Sequence, residues 1–222
     1  MKEYYDEVLS GYRLKQCYDV AAPRVKQYLE AEIKYVLSRL QFAESVLELG
    51  CGYGRITMQI ANIAKRTVGI DFASESIEFA RLYNRLSTCK YMVMNALDLQ
   101  FSDGSFDSVV CLQNGICAFN VDQELLLNEA LRVTRKGGII LFSSYSDRFW
   151  SERLGWFEAQ AAEGLIGEID YDRSENGIIA CKDGLRIGRM GPKNFKSLCS
   201  RVGINCNVFE IDDSSVFCEI IN

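Results

Sequence analysis

The sequence predicts an α/β protein built on a mostly parallel sheet, and three observations predict it. Short apolar runs alternate with helical patterns at βαβ spacing. A glycine-dense turn, Gly50-Cys-Gly-Tyr-Gly54, follows the first of those runs. Two closing apolar runs are joined only by Asp212-Asp213-Ser214, too short a link for a crossover helix, so that last pair is expected to be antiparallel.

Each element has a local reason. Pro23 opens a long helix in which Val25, Leu29, Ile33, Val36 and Leu40 recur every three or four residues, while Lys26, Glu30, Lys34 and Arg39 take the other faces. Ser45–Leu49 reads as a first strand, followed by the glycine turn and a helix over Arg55–Lys65 that buries Ile56, Ile60 and Ile63. Thr67–Asp71 reads as a second strand, with Ser74 as the cap of a helix reaching Leu86. Tyr91–Met94 and Phe106–Leu112 read as the third and fourth strands. Asp122 caps a helix with the stripe Leu126, Ala130 and Val133, and Lys136-Gly137-Gly138 is expected to end it, a cation followed by a left-handed glycine cap. Ile139–Phe142 is the fifth strand.

Residues 147–191 break the alternation. They carry Trp150, Trp156, Phe157 and a hairpin that turns at Asp183-Gly184 between Ile178–Cys181 and Leu185–Ile187. Pro192 opens a final helix to about Arg201, and Cys206–Ile211 and Val216–Ile221 form the closing strands. The chain is expected to be one domain: an N-terminal lid and helix over 1–41, a core over 45–146, an insert over 147–191, and a closing helix and strand pair over 192–222.

Composition narrows the function. The 222 residues are 48% hydrophobic, and 30 acidic against 25 basic side chains give a net charge of -5. That balance argues against a nucleic-acid partner, which a basic face would hold. The charged start, Met-Lys-Glu-Tyr-Tyr-Asp-Glu, does not resemble a secretory leader, and no apolar run approaches the ~18 residues that span a bilayer. A soluble cytoplasmic protein with no membrane partner is expected. Nine cysteines occur without a Cys-x-x-Cys pair, and histidine is absent. A zinc site would have to gather thiolates from distant positions, so no metal is expected and most thiols are read as small core hydrophobes in a reducing compartment.

The chemistry concentrates at the glycine turn. Such a turn lets backbone approach a ligand and aims the next helix's amino end at it. Asp71 ends the following strand about twenty residues on, where a carboxylate accepts ribose hydroxyls. Dinucleotide enzymes carry Gly-x-Gly-x-x-Gly; here the glycines fall at 50, 52 and 54, and Arg55 holds the third glycine's place. An NAD(P)-dependent oxidoreductase is therefore disfavoured.

Val46-Leu-Glu-Leu-Gly-Cys-Gly-Tyr-Gly-Arg55 resembles the first motif of the class I S-adenosylmethionine-dependent methyltransferases (the type 11-like group). Val68–Ser74 resembles that family's second strand, Asn95–Phe101 with Asp103–Asp107 its third motif, and Glu129–Gly138 its helix and glycine pair before the fifth strand. The resemblance implies a Rossmann-like seven-stranded sheet in the order 3-2-1-4-5-7-6, the last strand antiparallel, with an N-terminal helical lid and a small insert after strand five. It implies S-adenosylmethionine as cofactor and direct in-line methyl transfer to a small-molecule acceptor, the alternative being a non-catalytic S-adenosylmethionine-binding protein. Gly50, Cys51, Gly52 and Gly54 would make room for the methionine part, and Glu48 would orient the turn or the cofactor's amino group. Asp71 would bind the ribose, and Phe72, Ala96 and Leu97 would contact adenine. Asn95 stands where the family usually has aspartate, so it would offer an amide without the charge. Gln113, after the fourth strand, would face the methyl donor, and Tyr18 of the lid would close over it. The Asn/Asp-Pro-Pro-Tyr/Phe sequence of many amino-methylating relatives is missing after Leu112. No catalytic side chain is identified by sequence. Asp98 and Asp107 are read as structural, and Arg24, Arg55 and Arg148 either hold an acidic acceptor or face solvent.

Overall fold

A computed structural model describes residues 4–84 and 86–222. A short π-helical turn, Tyr4–Val8, leads into α1 (Gly11–Asp19) and α2 (Pro23–Arg39), with Pro23 in the first turn of α2 where its missing N–H costs nothing. Then come β1 (Ser45–Leu49), α3 (Thr57–Ala61), β2 (Arg66–Asp71), α4 (Ser74–Tyr83), β3 (Cys89–Val93), β4 (Phe106–Cys111), α5 (Gly115–Ala118), α6 (Gln123–Val133) and β5 (Thr134–Tyr145). The chain continues through α7 (Trp150–Ala162), the two-residue strands β6 (Ile179–Ala180) and β7 (Arg186–Ile187), α8 (Pro192–Val202), β8 (Asn207–Ile211) and β9 (Ser215–Ile221).

Seven strands form one sheet in the order β3-β2-β1-β4-β5-β9-β8. With the separate β6–β7 hairpin set aside, this is the order 3-2-1-4-5-7-6. β1 to β5 run parallel, and β9 is antiparallel to both β5 and β8, as the three-residue link between β8 and β9 requires. The central strands are buried on both faces: Val46, Leu47, Val109, Val110, Ile140 and Leu141 are inaccessible. One face packs on α6 and α8 through Leu126, Ala130, Phe195 and Leu198; the other packs on α2 and α3 through Ile33, Val36 and Ile60. Among the described residues no helix is long and apolar enough to cross a membrane.

Several boundaries differ from the sequence reading, among them the end of α4, at Tyr83 rather than Leu86. Helix α6 ends at Val133, not at Lys136-Gly137-Gly138, because Thr134 already pairs with Phe106 of β4. The Asn222 amide donates to the carbonyls of Leu131 and Thr134, serving acceptors the helix end leaves open. Gly138 is then a close-approach position: a Cβ there would lie 2.6 Å from the Asp107 carbonyl oxygen. Ser74 does not cap α4; the Asp71 carboxylate takes the Ala73 N–H instead. Helix α3 spans five residues with turns on either side, shorter than Arg55–Lys65. Asp122 does cap α6, accepting from Glu124 N and Leu125 N.

The region over the carboxyl ends of the strands is roofed from two distant parts of the chain. Tyr4, Leu9 and Cys17 pack with Phe157, Leu165, Ile166 and Ile187 in a second apolar cluster. Tyr4 donates to Asp183 of the hairpin at 2.6 Å, and the Trp156 indole N–H donates to the Cys17 carbonyl at 2.7 Å. The N-terminal segment and the insert are therefore one packed unit.

Candidate active site

β1 is held beside β2 and β4, and the chain turns sharply at its end. Gly50, Gly52 and Gly54 all have positive φ (71°, 52° and 81°), a region in which a Cβ crowds the backbone. This geometry directs the Gly52 N–H onto the Asp71 carboxylate at 2.8 Å. Asp71 is thus fixed by two backbone donors, Gly52 and Ala73, at the end of β2. Burial raises its carboxyl above the ordinary range, opposed by the Ala73, Gly52 and Phe72 N–H groups.

These residues border a cavity whose empty volume is about 1470 Å³, its open mouth included. From the glycine turn, Glu48, Gly50, Cys51 and Gly52 line it. Asp71 and Phe72 line it from β2, and Asn95, Ala96 and Leu97 from the loop after β3. Tyr18 and Gln113 border it as well. Gly54 does not; a Cβ there would meet the Tyr91 hydroxyl and the Asn84 amide behind the turn, so this glycine serves packing against β3 and α4. Asn95 Oδ1 accepts the Leu97 N–H at 3.1 Å, an Asx turn that shapes the loop after β3.

Beyond the turn the cavity continues to Tyr5, Tyr145, Trp156, Phe157 and Gln160. Trp150, the other insert tryptophan, packs in the apolar roof instead. Arg55 stacks over the Tyr18 ring, 4.9 Å from its centroid, and its Nη2 is buried without a partner. Tyr18 donates to Gln113 Oε1 at 2.7 Å, which leaves Gln113 Nε2 buried and unpartnered too. Gln113 and Asn114 are consecutive non-glycine residues with positive φ, 51° and 65°. Such strain persists only where surroundings over-determine it: Ser143 Oγ accepts the Gln113 N–H, while Asn114 bonds Ser144 and the Gly188 carbonyl. Arg24 and Arg148 lie elsewhere, paired with Asp212 and Asp213. Asp107 is structural, joining Ser45 to Arg135.

Burial raises the tyrosine hydroxyls and the carboxyls of Glu48 and Asp71 at this site. Burial pushes the Tyr18 hydroxyl well above its ordinary value and Tyr145 up to about 12. Burial also lifts Glu48 to about 8, opposed by the Thr57 hydroxyl that donates to it and by Arg55. The folded protein therefore keeps the Glu48 proton through neutral pH, whereas the unfolded chain releases it in the ordinary carboxylate range. Because the folded form binds the proton more tightly, stability falls as pH rises from about 4.5 to about 8. Glu48→Gln is expected to flatten that decline in thermal melts taken across the interval. An unchanged slope would place the linked proton on another group.

Residues 47–142 match the family model described as "Methyltransferase domain". The matched segment is a methyltransferase domain of the class I S-adenosylmethionine-dependent kind. The chain is 30% identical over 116 residues to a ubiquinone biosynthesis O-methyltransferase of Xanthomonas oryzae pv. oryzae, covering 50% of this chain and 48% of that protein. It is 30% identical over 106 residues to a fatty-acid O-methyltransferase of Mycolicibacterium smegmatis, covering 47% of this chain and 38% of that one. The chain thus aligns with about half, or less, of the length of these curated relatives. In fold it is similar to the PH0226 protein from Pyrococcus horikoshii OT3, with a TM-score of 0.71, 20% identity and coverage of 100% of this chain and 99% of the other. The cofactor of the family is S-adenosylmethionine.

Sequence reasoning did not single out Tyr145, Gln160 or Phe119 as cavity residues. Tyr145 closes β5 three residues beyond the apolar run read as that strand, and α7, which carries Gln160, was not read as a helix. For these residues no local pattern marks the wall of a cavity. The strained Gln113-Asn114 pair had a partial signal, since asparagine tolerates the left-handed region.

Proposed function

We propose that the protein transfers a methyl group from S-adenosylmethionine directly to a small-molecule acceptor, and that the acceptor presents an oxygen anion. The reading is carried by one cavity that runs from Asp71 and Phe72 to Tyr145 and Trp156, with Arg55 Nη2 and Gln113 Nε2 buried beside it and unpartnered. Arg55 and Gln113 both line this cavity, and a buried donor without a protein partner calls for an acceptor.

In this reading Asp71 accepts the ribose hydroxyls, Phe72 lies against adenine, and Ala96 and Leu97 line the adenine end. Asn95 shapes that loop and turns its amide to the ring. Gly50, Cys51 and Gly52 leave space for the methionine portion, and Glu48 holds the turn through Thr57. When bound, S-adenosylmethionine supplies a methyl group already activated on sulfonium. Tyr18, Trp156 and Phe157 exclude water from the reacting end. Arg55 and Gln113 hold the acceptor's anion in line, and positioning of this kind supplies much of the acceleration. The chain has no histidine, and the buried tyrosines and Glu48 keep their protons at neutral pH. An acceptor that arrives deprotonated needs no base from the protein. One relative is named for O-methylation of a fatty acid, a carboxylate acceptor of this class.

The test is a panel of aliphatic and aromatic carboxylic acids, phenols, amines and thiols, each incubated with protein and S-adenosylmethionine. Methyl ester and S-adenosylhomocysteine formed in equal amounts are expected from a carboxylic acid. Turnover of amines alone would overturn the acceptor class, and tight cofactor binding without any turnover would favour a non-catalytic binding protein. Titration calorimetry is expected to show binding of S-adenosylmethionine and S-adenosylhomocysteine, with NADH negligible. Clear binding of NADH alone would sink the cofactor reading.

The roof also makes a prediction. On addition of S-adenosylhomocysteine, hydrogen-exchange protection is expected around Tyr18 and Trp156 as well as around Gly50 to Asp71. Protection restricted to the second region would put the acceptor outside the roofed space.

A further inference from the structure

At the sheet edge formed by β8 and β9, three cysteines meet that the active site does not use. Helix α8 ends at Gly203, whose φ of 79° reverses the chain, and the Ile204 N–H donates back to the Cys199 carbonyl at 3.0 Å. This reversal returns Cys206 beneath the last turn of α8, just before β8 begins. Val208 of β8 is paired with Cys218 of β9. Cys206 lies two residues before Val208 and so shares its face, diagonal to Cys218. Cys199 descends on that face from α8. The three sulfurs lie within 4.8 Å of one another, and Cys199 Sγ is 3.7 Å from Cys218 Sγ.

We propose that Cys199, Cys206 and Cys218 form a binding site for one thiophilic divalent cation of the zinc class. Zinc bonds thiolate sulfur at about 2.3 Å, and in a tetrahedron that bond length sets sulfur–sulfur edges of about 3.8 Å. The Cys199–Cys218 separation already has this value. Three ligands from distinct elements define one face of the tetrahedron, Cys206 is the partly exposed one of the three, and water would complete the fourth position. Three thiolates around a divalent cation leave a single negative charge, and Lys196, one turn before Cys199 on α8, acts electrostatically on Cys206. Binding releases the three thiol protons to solvent, breaks the S–H bonds, and changes no oxidation state. Val202, Ile204 and Val208 form an apolar surround. A cation here would pin the end of α8 to both closing strands.

The test uses the full chain, reduced and metal-free, titrated with Co²⁺ as a spectroscopic stand-in for zinc. One equivalent of Co²⁺ is expected to give sulfur-to-cobalt charge-transfer absorption with visible bands of tetrahedral intensity, and Zn²⁺ is expected to displace it. Cys206→Ser, the partly exposed position and the least disruptive to folding, is expected to weaken Co²⁺ binding at least tenfold while circular dichroism stays unchanged. Two outcomes overturn the proposal: absence of the charge-transfer band in folded, reduced protein, or a band of equal affinity in the Cys206→Ser variant.

Discussion

Gly52→Val is expected to abolish S-adenosylhomocysteine binding, raising the dissociation constant at least about a hundredfold. Position 52 has a φ of 52°, where a β-branched residue is strained by roughly 1–3 kcal/mol. A Cβ there would stand 2.8 Å from Leu14 Cδ2, so the Leu14 side chain or the turn must shift. If the turn moves, the Gly52 N–H leaves the Asp71 carboxylate, a charged hydrogen bond worth about 1.5–3 kcal/mol. These effects fall on the same few atoms and reinforce one another. Asn95→Ala offers the contrast: it removes the Asx bond to Leu97, about 1 kcal/mol, and is expected to weaken binding only several-fold. Calorimetric titration of both variants decides the matter, with circular dichroism to verify folding. Equal affinities would mean that the turn does not face the cofactor.

Asp71→Ala comes next in size, with a loss of about 1.5–3 kcal/mol, or roughly ten- to a hundredfold in affinity. In the protein this carboxylate already holds Gly52 and Ala73, so its removal takes away the clamp on the glycine turn and, on the proposed reading, an acceptor for the ribose. The pH dependence has a definite sign. Burial raises the Asp71 carboxyl above its ordinary 3.8, and only the ionised form accepts hydrogen bonds on both oxygens. Affinity is therefore expected to fall, as pH is lowered, sooner than an unshifted aspartate would require. The Asp71→Ala variant should lack that step. An unchanged dissociation constant in a folded variant would remove Asp71 from the site.

Much of this was legible because it is local. The alternation of Ser45–Leu49, Thr67–Asp71, Tyr91–Met94 and Phe106–Leu112 with helical patterns predicts the parallel sheet, since strands buried on both faces read as continuous apolar runs. Pro23, Asp122 and Pro192 announce their helices, as capping and a fixed φ act within one turn. Gly50 and Gly52, which line the cavity, were legible from their spacing together with Asp71 and the family resemblance. The end of α6 was not. Lys136-Gly137-Gly138 satisfies every local rule for a helix stop, yet β4 claims Thr134 and the distant Asn222 serves the freed carbonyls.

What the sequence by itself determined is the α/β class, the antiparallel closing pair, the glycine turn with its aspartate partner, and the exclusion of a dinucleotide fingerprint. Each rests on residues within a few positions of one another, or on a spacing the βαβ unit repeats. Only the tertiary structure decided that the N-terminal segment and the insert build a common roof, tied by Tyr4 to Asp183 and Trp156 to Cys17. It alone placed Arg55 and Gln113 in the cavity wall with buried, unpartnered donors, and it alone brought Cys199, Cys206 and Cys218 within 4.8 Å. An unsatisfied donor or a cluster of sulfurs is a property of several chain segments in contact, and those contacts come into existence only when the apolar faces of distant helices and strands are buried together.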